Sequence, residues 1–316
     1  MGIEVIKVNS QSLDAKERMK KILEEHKVSR KKEYIWLLLP SIIVLFFLSI
    51  FPLIYAFSIS FRDYSFATGR VDHVFYGIKN WIYILKNPDF YNSLFVTFKF
   101  SIISVTIEMI LGMVLALLFN QKNYKLKPLN ILIVLPMAIS PVIVGLVFRW
   151  FYSGEIGIIG YIIQSIGLTP PSWYQNATNA MFAVVIADVW EWTPFVFLIC
   201  LAGLQLIQNE FYEAAEVDGA SNWHKFRYIT LPLLRNTLIV IFVLRAIPAL
   251  KEFDKVFIIT AGGPGTSTVT TSLFVYKQMI YYNNMATAVV GALILVIIII
   301  IISQVLFNYL RRHEDW

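Results

Sequence analysis

Cysteine and clustered metal ligands are scarce in this chain. Cys200 is the single cysteine among 316 residues, which excludes an intramolecular disulfide and a thiolate zinc site. The four histidines lie far apart, at positions 26, 73, 224 and 313, and form no His-Glu-x-x-His pattern. We therefore predict no metal site, and no clustered set of catalytic side chains points to an enzyme.

A phosphate-binding loop is missing as well. No Gly-x-x-x-x-Gly-Lys-Ser/Thr pattern occurs anywhere in the sequence, and the glycine-rich stretch 262–265 lacks the lysine that such a loop needs. This excludes ATP hydrolysis by the chain itself, and it predicts that the chain binds no cofactor of its own.

Charged residues are few. They make up 15% of the chain, whereas 57% of the residues are hydrophobic and the mean hydropathy is +0.64. The net charge of +6 is too small to favour binding to nucleic acid. A composition of this kind excludes an ordinary soluble protein and predicts an all-α protein that crosses a lipid bilayer several times.

Six apolar segments are long enough to cross a membrane, for which about 20 residues of helix are needed. The predicted spans are 34–58, 94–120, 129–152, 181–207, 237–260 and 286–309. The fifth carries five charged residues, so it must be shielded from lipid, lie partly outside the membrane or line water. A shorter apolar run at 156–168 precedes two prolines, which favours an interfacial or re-entrant segment.

The distribution of lysine and arginine predicts the orientation. With the amino terminus inside, 17 basic residues fall in cytoplasmic segments and five in outer loops. Both termini are therefore predicted to be cytoplasmic. Residues 1–33 form a basic amphipathic tail, which lies on the membrane surface or binds a regulatory partner, and 311–316 form a short second tail. A cleaved signal peptide is disfavoured, because 33 mainly polar residues precede the first apolar run.

The longest predicted cytoplasmic loop, 208–236, joins spans four and five. Asn209 can cap a short helix, Gly219 can end it in the left-handed conformation, and Pro232 would break a second helix that starts near residue 221. We thus predict a helix-turn-helix. Adjacent alanines and the apolar side chain of Phe211 suit docking into a groove of another protein, and a solvated hairpin is the alternative.

This loop contains a spaced pattern: Glu-Ala-Ala, three residues, Gly, nine residues, Ile, one residue, Leu-Pro. The pattern resembles the cytoplasmic signature of the inner-membrane permease subunits of binding-protein-dependent ABC importers. The resemblance implies that the helix-turn-helix is a coupling element that seats in a cleft of an ATPase subunit. The residues that it assigns to this coupling are Glu213, Ala214, Ala215, Asp218, Gly219, Ala220, Phe226, Leu231 and Pro232.

Other stretches resemble the carbohydrate-uptake permeases of the maltose and glycerol-3-phosphate type. They are Trp190–Phe195, Asp218–Ala220 with Phe226, and Gly262–Gly265 with the Ser-Leu-Phe-Val-Tyr that follows. The resemblance implies a path for a sugar or related polyol in the cytoplasmic membrane of a prokaryote. It also implies three kinds of partner: a second homologous permease, two ATPase subunits that hold ATP and Mg²⁺, and an extracytoplasmic sugar-binding protein. The identity and charge of the sugar stay open.

Polar residues inside predicted spans indicate where a solute passes. Two helix faces repeat the spacing i, i+4, i+7: Asp188, Trp192 and Phe195 on the fourth span, and Arg245, Ala249 and Glu252 on the fifth. Charged groups bond sugar hydroxyls and aromatic rings pack on sugar faces, so these faces are predicted to line the substrate path. The alternative is a buried structural ion pair of Asp188 with Arg245, and a Trp192 that only packs against a neighbouring helix.

Two other functions remain open from the sequence. The imported solute could be a peptide, a polyamine or an anion. A self-contained secondary transporter would instead relay protons or bind sodium through Asp188, Glu191 and Glu108, of which Glu108 has no partner identifiable from the sequence. Such a transporter would have no use for the complete signature in the loop.

Overall fold

The computed structural model describes residues 38–64, 74–120, 127–154 and 157–311. The tail predicted at 1–33, and residues 312–316 of the second tail, lie outside the described residues. Described secondary structure is helical apart from one bridge between Arg62 and Phe75. The helices are α1 Leu38–Ile59, α2 Lys79–Lys86, α3 Pro88–Phe119, α4 Lys127–Val134, α5 Pro141–Phe151, α6 Ile158–Ser165, α7 Ala177–Gln205, α8 Asn209–Val217, α9 Asn222–Leu233, α10 Arg235–Leu250, α11 Asp254–Thr260, α12 Thr271–Ile280 and α13 Met285–Arg311.

Four of the described helices, α1, α3, α7 and α13, are each long and apolar enough to cross a membrane. Two bent pairs, α4 with α5 and α9 with α10, raise the number to six if each pair counts as one span. The predicted all-α membrane fold is confirmed.

The chain divides into two compact units, of which the first ends at Ser58 and the second begins at Ile59. In the first unit, α1 contains a wide π turn at Phe46–Ile50. Its apolar side chains are exposed almost throughout, as lipid would require of a helix in the bilayer.

Helices α3 and α7 start at asparagine caps in the second unit. The side chain of Asn87 accepts a hydrogen bond from the backbone N–H of Asp89 at 2.9 Å, and Pro88 opens the first turn. Asn176 accepts in the same way from the N–H of Thr178 at 2.8 Å. These caps satisfy N–H groups that the first turn leaves without a partner.

The same two helices pack side by side and run parallel. Their earlier halves share one apolar cluster, which includes Phe100 and Val184. Their later halves share another, which includes Ala116 and Phe197. Gly112 allows this approach, because a Cβ at that position would lie 2.6 Å from the Cβ of Val196.

The segment 129–152, predicted as one span, is broken in the structure. The helical stretch Ile131–Ala138 meets α5 at an angle of 102°. Pro141 begins α5, and Ser140 before it is extended, with ψ at 137°, because a proline ring disfavours helical backbone at the preceding residue. The pair is a broken span or a re-entrant loop.

The segment 237–260, predicted as the fifth span, also consists of two helices. Pro248 lies in the last turn of α10, which ends at Leu250, and a proline cannot donate the N–H that a regular helix needs there. Glu252 then accepts a hydrogen bond from the backbone N–H of Lys255 at 3.0 Å. This carboxylate caps the first turn of α11, which begins at Asp254.

Helix α9 differs from the prediction at its end. Pro232 does not stop it, since the helix continues to Leu233 and then bends by 63° into α10. A π turn at Phe226–Thr230 precedes the proline. The wide turn adjusts the helix just before the residue that lacks an N–H donor.

The loop between α11 and α12 is held by side-chain hydrogen bonds. Gly262 has a positive φ of 91°, and Thr268 donates to the carbonyl of Gly263 at 2.9 Å. Helix α12 then docks on α3 through the hydroxyls of Thr97 and Thr271, which lie 3.0 Å apart. This end of the molecule is therefore built from α3, α12 and the loop together.

Candidate functional site

Six charged side chains form a buried network between the two apolar clusters of the core. They are Glu108 on α3, Asp188 and Glu191 on α7, Arg245 on α10, Glu252 before α11 and Lys255 on α11. Five of the six residues are at most 2% exposed, and the Glu252 side chain is 10% exposed. Four carboxylates thus meet two cations inside the protein, where an unpaired charge is costly.

Arg245 joins α10 to both long helices. Its Nε lies 2.6 Å from Oε2 of Glu108, and its Nη2 donates to Oε1 of the same carboxylate at 2.9 Å. The same Nη2 pairs with Oδ2 of Asp188. A guanidinium presents five donors in a fixed plane, which suits it to hold two carboxylates at once.

Lys255 is the second centre of the network. Its ammonium lies 3.0 Å from Asp188, 2.6 Å from Glu191 and 3.0 Å from Glu252. Asp188 is shared between Lys255 and Arg245, so the two cations belong to one connected network. It ties together α3, α7, α10 and α11.

Trp192 and Phe195 lie beside the network on α7. The guanidinium carbon of Arg245 is 4.9 Å from the centre of the Trp192 ring, a distance at which a cation is attracted to an aromatic face. The rings of Trp192 and Phe195 meet edge to face, with centres 6.0 Å apart. Both side chains are half-buried, so they form the accessible border of a buried ionic core.

The two predicted helix faces do come together, although most of their polar groups are buried. Asp188 and Arg245 form the ion pair that the sequence left as the alternative, and Ala249 is fully buried. Trp192, Phe195 and Glu252 keep partial exposure.

The two faces predicted from the sequence leave out three members of the network. Lys255 and Glu191 were outside the two predicted faces, and Glu108 had no assigned partner. The spacing i, i+3 from Asp188 to Glu191, and again from Glu252 to Lys255, could have signalled two more positions on the same faces.

The second candidate site is the helix-turn-helix at α8 and α9. Gly219 has the predicted left-handed conformation, with φ at 75°. The N–H of Ala220 bonds the carbonyl of Ala215 at 2.8 Å, and the N–H of Gly219 bonds that of Glu216 at 3.0 Å. This pair of bonds is a Schellman motif, which ends α8 and turns the chain into α9. Asn209, which the sequence predicted as the cap, is instead the first residue of α8, and Gln208 occupies the cap position.

Side-chain contacts hold α8 against α9. The hydroxyls of Tyr212 and Thr230 lie 3.0 Å apart, and Lys225 pairs with Glu216 at 2.9 Å. The Ser221 side chain caps α9 by accepting from the N–H of His224 at 3.3 Å. These contacts join the two helices of the hairpin into one unit.

The predicted coupling residues lie on the surface of this hairpin. Five are exposed, namely Glu213, Ala214, Asp218, Gly219 and Pro232. The other four, Ala215, Ala220, Phe226 and Leu231, are half-buried. Large apolar side chains are exposed beside them, with Val217 at 89% and Trp223 at 67%. A patch of this kind on a membrane protein's loop is typical of an interaction surface.

The described residues contain no group of three or more His, Cys, Asp or Glu side chains arranged to hold a metal ion. The carboxylates of the buried network face lysine and arginine instead.

Comparisons with known proteins agree with the resemblance. The family model described as "Binding-protein-dependent transport system inner membrane component" matches residues 108–314. The trehalose/maltose transport system permease protein MalF of Thermococcus litoralis is 38% identical over 76% of this chain and 81% of its own length. The sulfoquinovosyl glycerol transport system permease protein SmoG of Agrobacterium fabrum is 32% identical over 77% of this chain and 79% of its own length.

A solved structure shares the fold. It is the crystal structure of a bacterial alginate ABC transporter in complex with an alginate pentasaccharide-bound periplasmic protein. One of its chains matches 92% of this chain over 97% of its own length, with a TM-score of 0.77 and 22% sequence identity. The signature of the loop, the membrane helices and the family match thus agree, and the predicted resemblance is confirmed. The protein is a multi-pass inner-membrane component, and ATP hydrolysis resides in other subunits. The chain therefore belongs to the family of binding-protein-dependent transport system inner membrane components, the permeases of ABC importers.

Proposed function

We propose that this permease forms, with a second homologous permease, the membrane path of an importer for a sugar or a related polyol. An extracytoplasmic binding protein delivers the solute, and two ATPase subunits, which hold ATP and Mg²⁺, drive the transport. The name of the trehalose/maltose relative supports the class of solute, and the alginate transporter solved with its periplasmic protein supports the delivery step. Both termini and the hairpin lie in the cytoplasm. This orientation is supported by the lysines and arginines, of which 17 then fall in cytoplasmic segments and five in outer loops.

The hairpin supports this proposal most directly, because it exposes large apolar side chains such as Val217 and Trp223. Its α9 passes through a 63° bend into α10, and α10 carries Arg245, which pairs with α3 and α7. Movement of an ATPase subunit that holds the hairpin would therefore be transmitted to α10 and to the network.

Two glycines provide a matched test of this coupling. Gly219 and Gly167 both have positive φ, 75° and 82°, and a Cβ at either would meet nothing within 4 Å. Alanine at each position should cost a similar backbone strain of about 1–2 kcal/mol. We expect Gly219→Ala to reduce the sugar-stimulated ATPase activity of the complex purified with its partners and Gly167→Ala to leave it intact.

Equal effects of the two substitutions would contradict the assignment of the hairpin. If no ATPase co-purifies, and sugar uptake follows a proton or sodium gradient, the chain is a secondary transporter and the whole proposal is wrong.

For the substrate path, the partly exposed Trp192, Phe195 and Glu252 form the wall that the sugar meets. The buried Asp188, Arg245 and Ala249 stand behind it. The cation–π contact with Arg245 fixes the plane of the Trp192 ring, and a fixed aromatic plane is what stacking on a sugar face requires.

Trp190 is the matched control for this wall. It lies on the same helix but packs against Phe148, with ring centres 5.5 Å apart, and it borders an apolar cavity of about 590 Å³. We expect Trp192→Leu to raise the KM for sugar-stimulated ATPase activity, and Trp190→Leu to leave it unchanged. An unchanged KM in Trp192→Leu would make the network and its aromatic border purely structural.

A further inference from the structure

A polar pocket of about 290 Å³ lies where α3 and α13 begin. Because α3 and α7 run parallel, this pocket is at the end of the helix pair opposite the coupling hairpin, which follows the last residue of α7. The pocket is thus on the extracytoplasmic side in the orientation proposed above. Its volume is near the lower limit of typical ligand pockets, about 300 Å³.

The glycine-rich loop makes room for one wall of this pocket. The ammonium of Lys277, a lining residue, lies 3.0 Å from the position that a Cβ on Gly262 would occupy. The same Cβ would lie 2.6 Å from the side chain of Val269. The loop is anchored to α3 by Asn92, which donates to the carbonyl of Thr266 at 3.1 Å. This hydrogen bond ties the loop that forms one wall of the pocket to α3.

Three amide side chains line the pocket with their oxygens already engaged. Asn87 accepts from the N–H of Asp89 at 2.9 Å. Asn284 and Gln278 accept from the N–H and the hydroxyl of Thr287, at 3.2 and 3.4 Å. Within the described residues their NH₂ groups have no hydrogen-bond acceptor, so three NH₂ groups, each with two N–H donors, remain for a ligand.

The pocket also holds one charge of each sign. Asp89 and Lys277 both line it, yet in the described part of the chain no carboxylate lies within 4.0 Å of the Lys277 ammonium. Partial burial lowers the pKa of Lys277 below its ordinary value. A ligand that donates to Asp89 and accepts from Lys277 would satisfy both groups.

Tyr83 and Tyr282 supply aromatic surface at the mouth. Their side chains are 54% and 69% exposed, and both line the pocket. A sugar ring has apolar faces that stack on such rings and hydroxyls that both donate and accept hydrogen bonds. A simple anion would use the donors but would meet the carboxylate of Asp89.

From this set of groups we infer that the pocket is a binding site for one neutral saccharide unit, separate from the path at Trp192. The larger cavity beside Trp190 has an almost wholly apolar lining and could not satisfy hydroxyl groups. This site is independent of the path residues and of ATP-driven coupling, and its extracytoplasmic location rests on the function proposed above.

Protection of Lys277 from acylation tests the site without any substitution in the pocket. The complex, purified without the binding protein, is treated with an amine-acylating reagent in the presence of glucose, maltose, glucuronate or inorganic phosphate, and peptide mass spectrometry measures the rate at each lysine. At a concentration of about nine times Kd, glucose or maltose should slow acylation of Lys277 roughly tenfold, because about one tenth of the sites are free. Lys86, which is exposed and does not line the pocket, is the internal control and should not be protected.

Two variants separate this site from the proposed path. Asp89→Asn should weaken the protection by neutral sugars, and Trp192→Leu should leave it unchanged. Protection by phosphate or glucuronate alone would identify an anion site and overturn the inference, as would equal protection of Lys86 or no protection by any sugar. Loss of protection in Trp192→Leu would also overturn it, because the pocket would then not be independent of the path.

Discussion

Removing Arg245 should leave a deeply buried carboxylate without a counterion. Glu108 is 0% exposed, and Arg245 is the one cation among the described residues that pairs with it. Asp188 would keep Lys255 at 3.0 Å, so the damage falls on Glu108. Loss of one member of a buried pair typically costs about 3–5 kcal/mol, and we expect Arg245→Met to destabilise the permease by this amount.

A second substitution tests whether the orphaned charge is the cause. In the Arg245→Met background, Glu108→Gln replaces the carboxylate with a neutral amide of similar shape. The double variant should recover about 1–3 kcal/mol relative to Arg245→Met alone, since that is the penalty of a buried group left unsatisfied. Taken alone, Glu108→Gln should destabilise, because it weakens the contact with Arg245.

The assay is the thermal unfolding midpoint of the purified complex in detergent. Each kcal/mol corresponds to a shift of about 2–4 °C for domains of 150–250 residues. Glu210→Gln in the same background is the control, because Glu210 is exposed on α8 and should give no recovery. If the two substitutions add without interaction, the network does not act as a coupled unit and the reasoning fails.

Three further outcomes follow from single positions. Gly112→Val should lower the midpoint, because its Cβ would lie 2.6 Å from the Cβ of Val196 and 2.9 Å from the backbone nitrogen of Phe197 and overpacking of this kind costs about 1–3 kcal/mol. Val196→Ala in the same chain should restore little of the loss, because alanine keeps that Cβ, and an unchanged midpoint in Gly112→Val would contradict the close packing. Asn80→Ala should cost about 1–3 kcal/mol, because the buried amide of Asn80 donates to the carbonyls of Ser60 and Arg62 at 3.0 and 2.9 Å and both bonds are lost; an unchanged midpoint would contradict this. Burial lowers the pKa of Lys277, so with rising pH it should lose its proton earlier than a lysine in a short peptide. Its acylation rate should therefore rise at a lower pH than that of the peptide lysine. If the two acylation rates depend on pH in the same way, burial has no effect on Lys277.

The loop between α7 and α10 illustrates what local sequence is able to predict. Gly219 was expected to end a helix in the left-handed conformation, and it does, with φ at 75°. This feature depends on a few adjacent residues, since only glycine adopts such backbone without strain. The continuation of α9 past Pro232 was not expected, because a π turn can absorb a proline and leaves no obvious local signal.

The broken segments show where the count of apolar residues was insufficient. Residues 129–152 are apolar enough for one span, yet the chain bends by 102°. Composition measures affinity for lipid, whereas Pro141 and the extended Ser140 determine the direction of the chain. In the same way, Glu252 marks the break after α10 by capping the next helix.

Hydropathy and the spaced signature in the loop identify this chain as a membrane protein and a permease of the ABC importer family, because both are properties of consecutive residues. It also indicated Asp188 and Arg245, through the cost of placing charge in lipid. That Glu108, Glu191 and Lys255 complete one network becomes visible in the packing of the helices. Those contacts join residues as far as 137 positions apart, and the pairing of distant charges depends on how helices pack rather than on the spacing within any one of them.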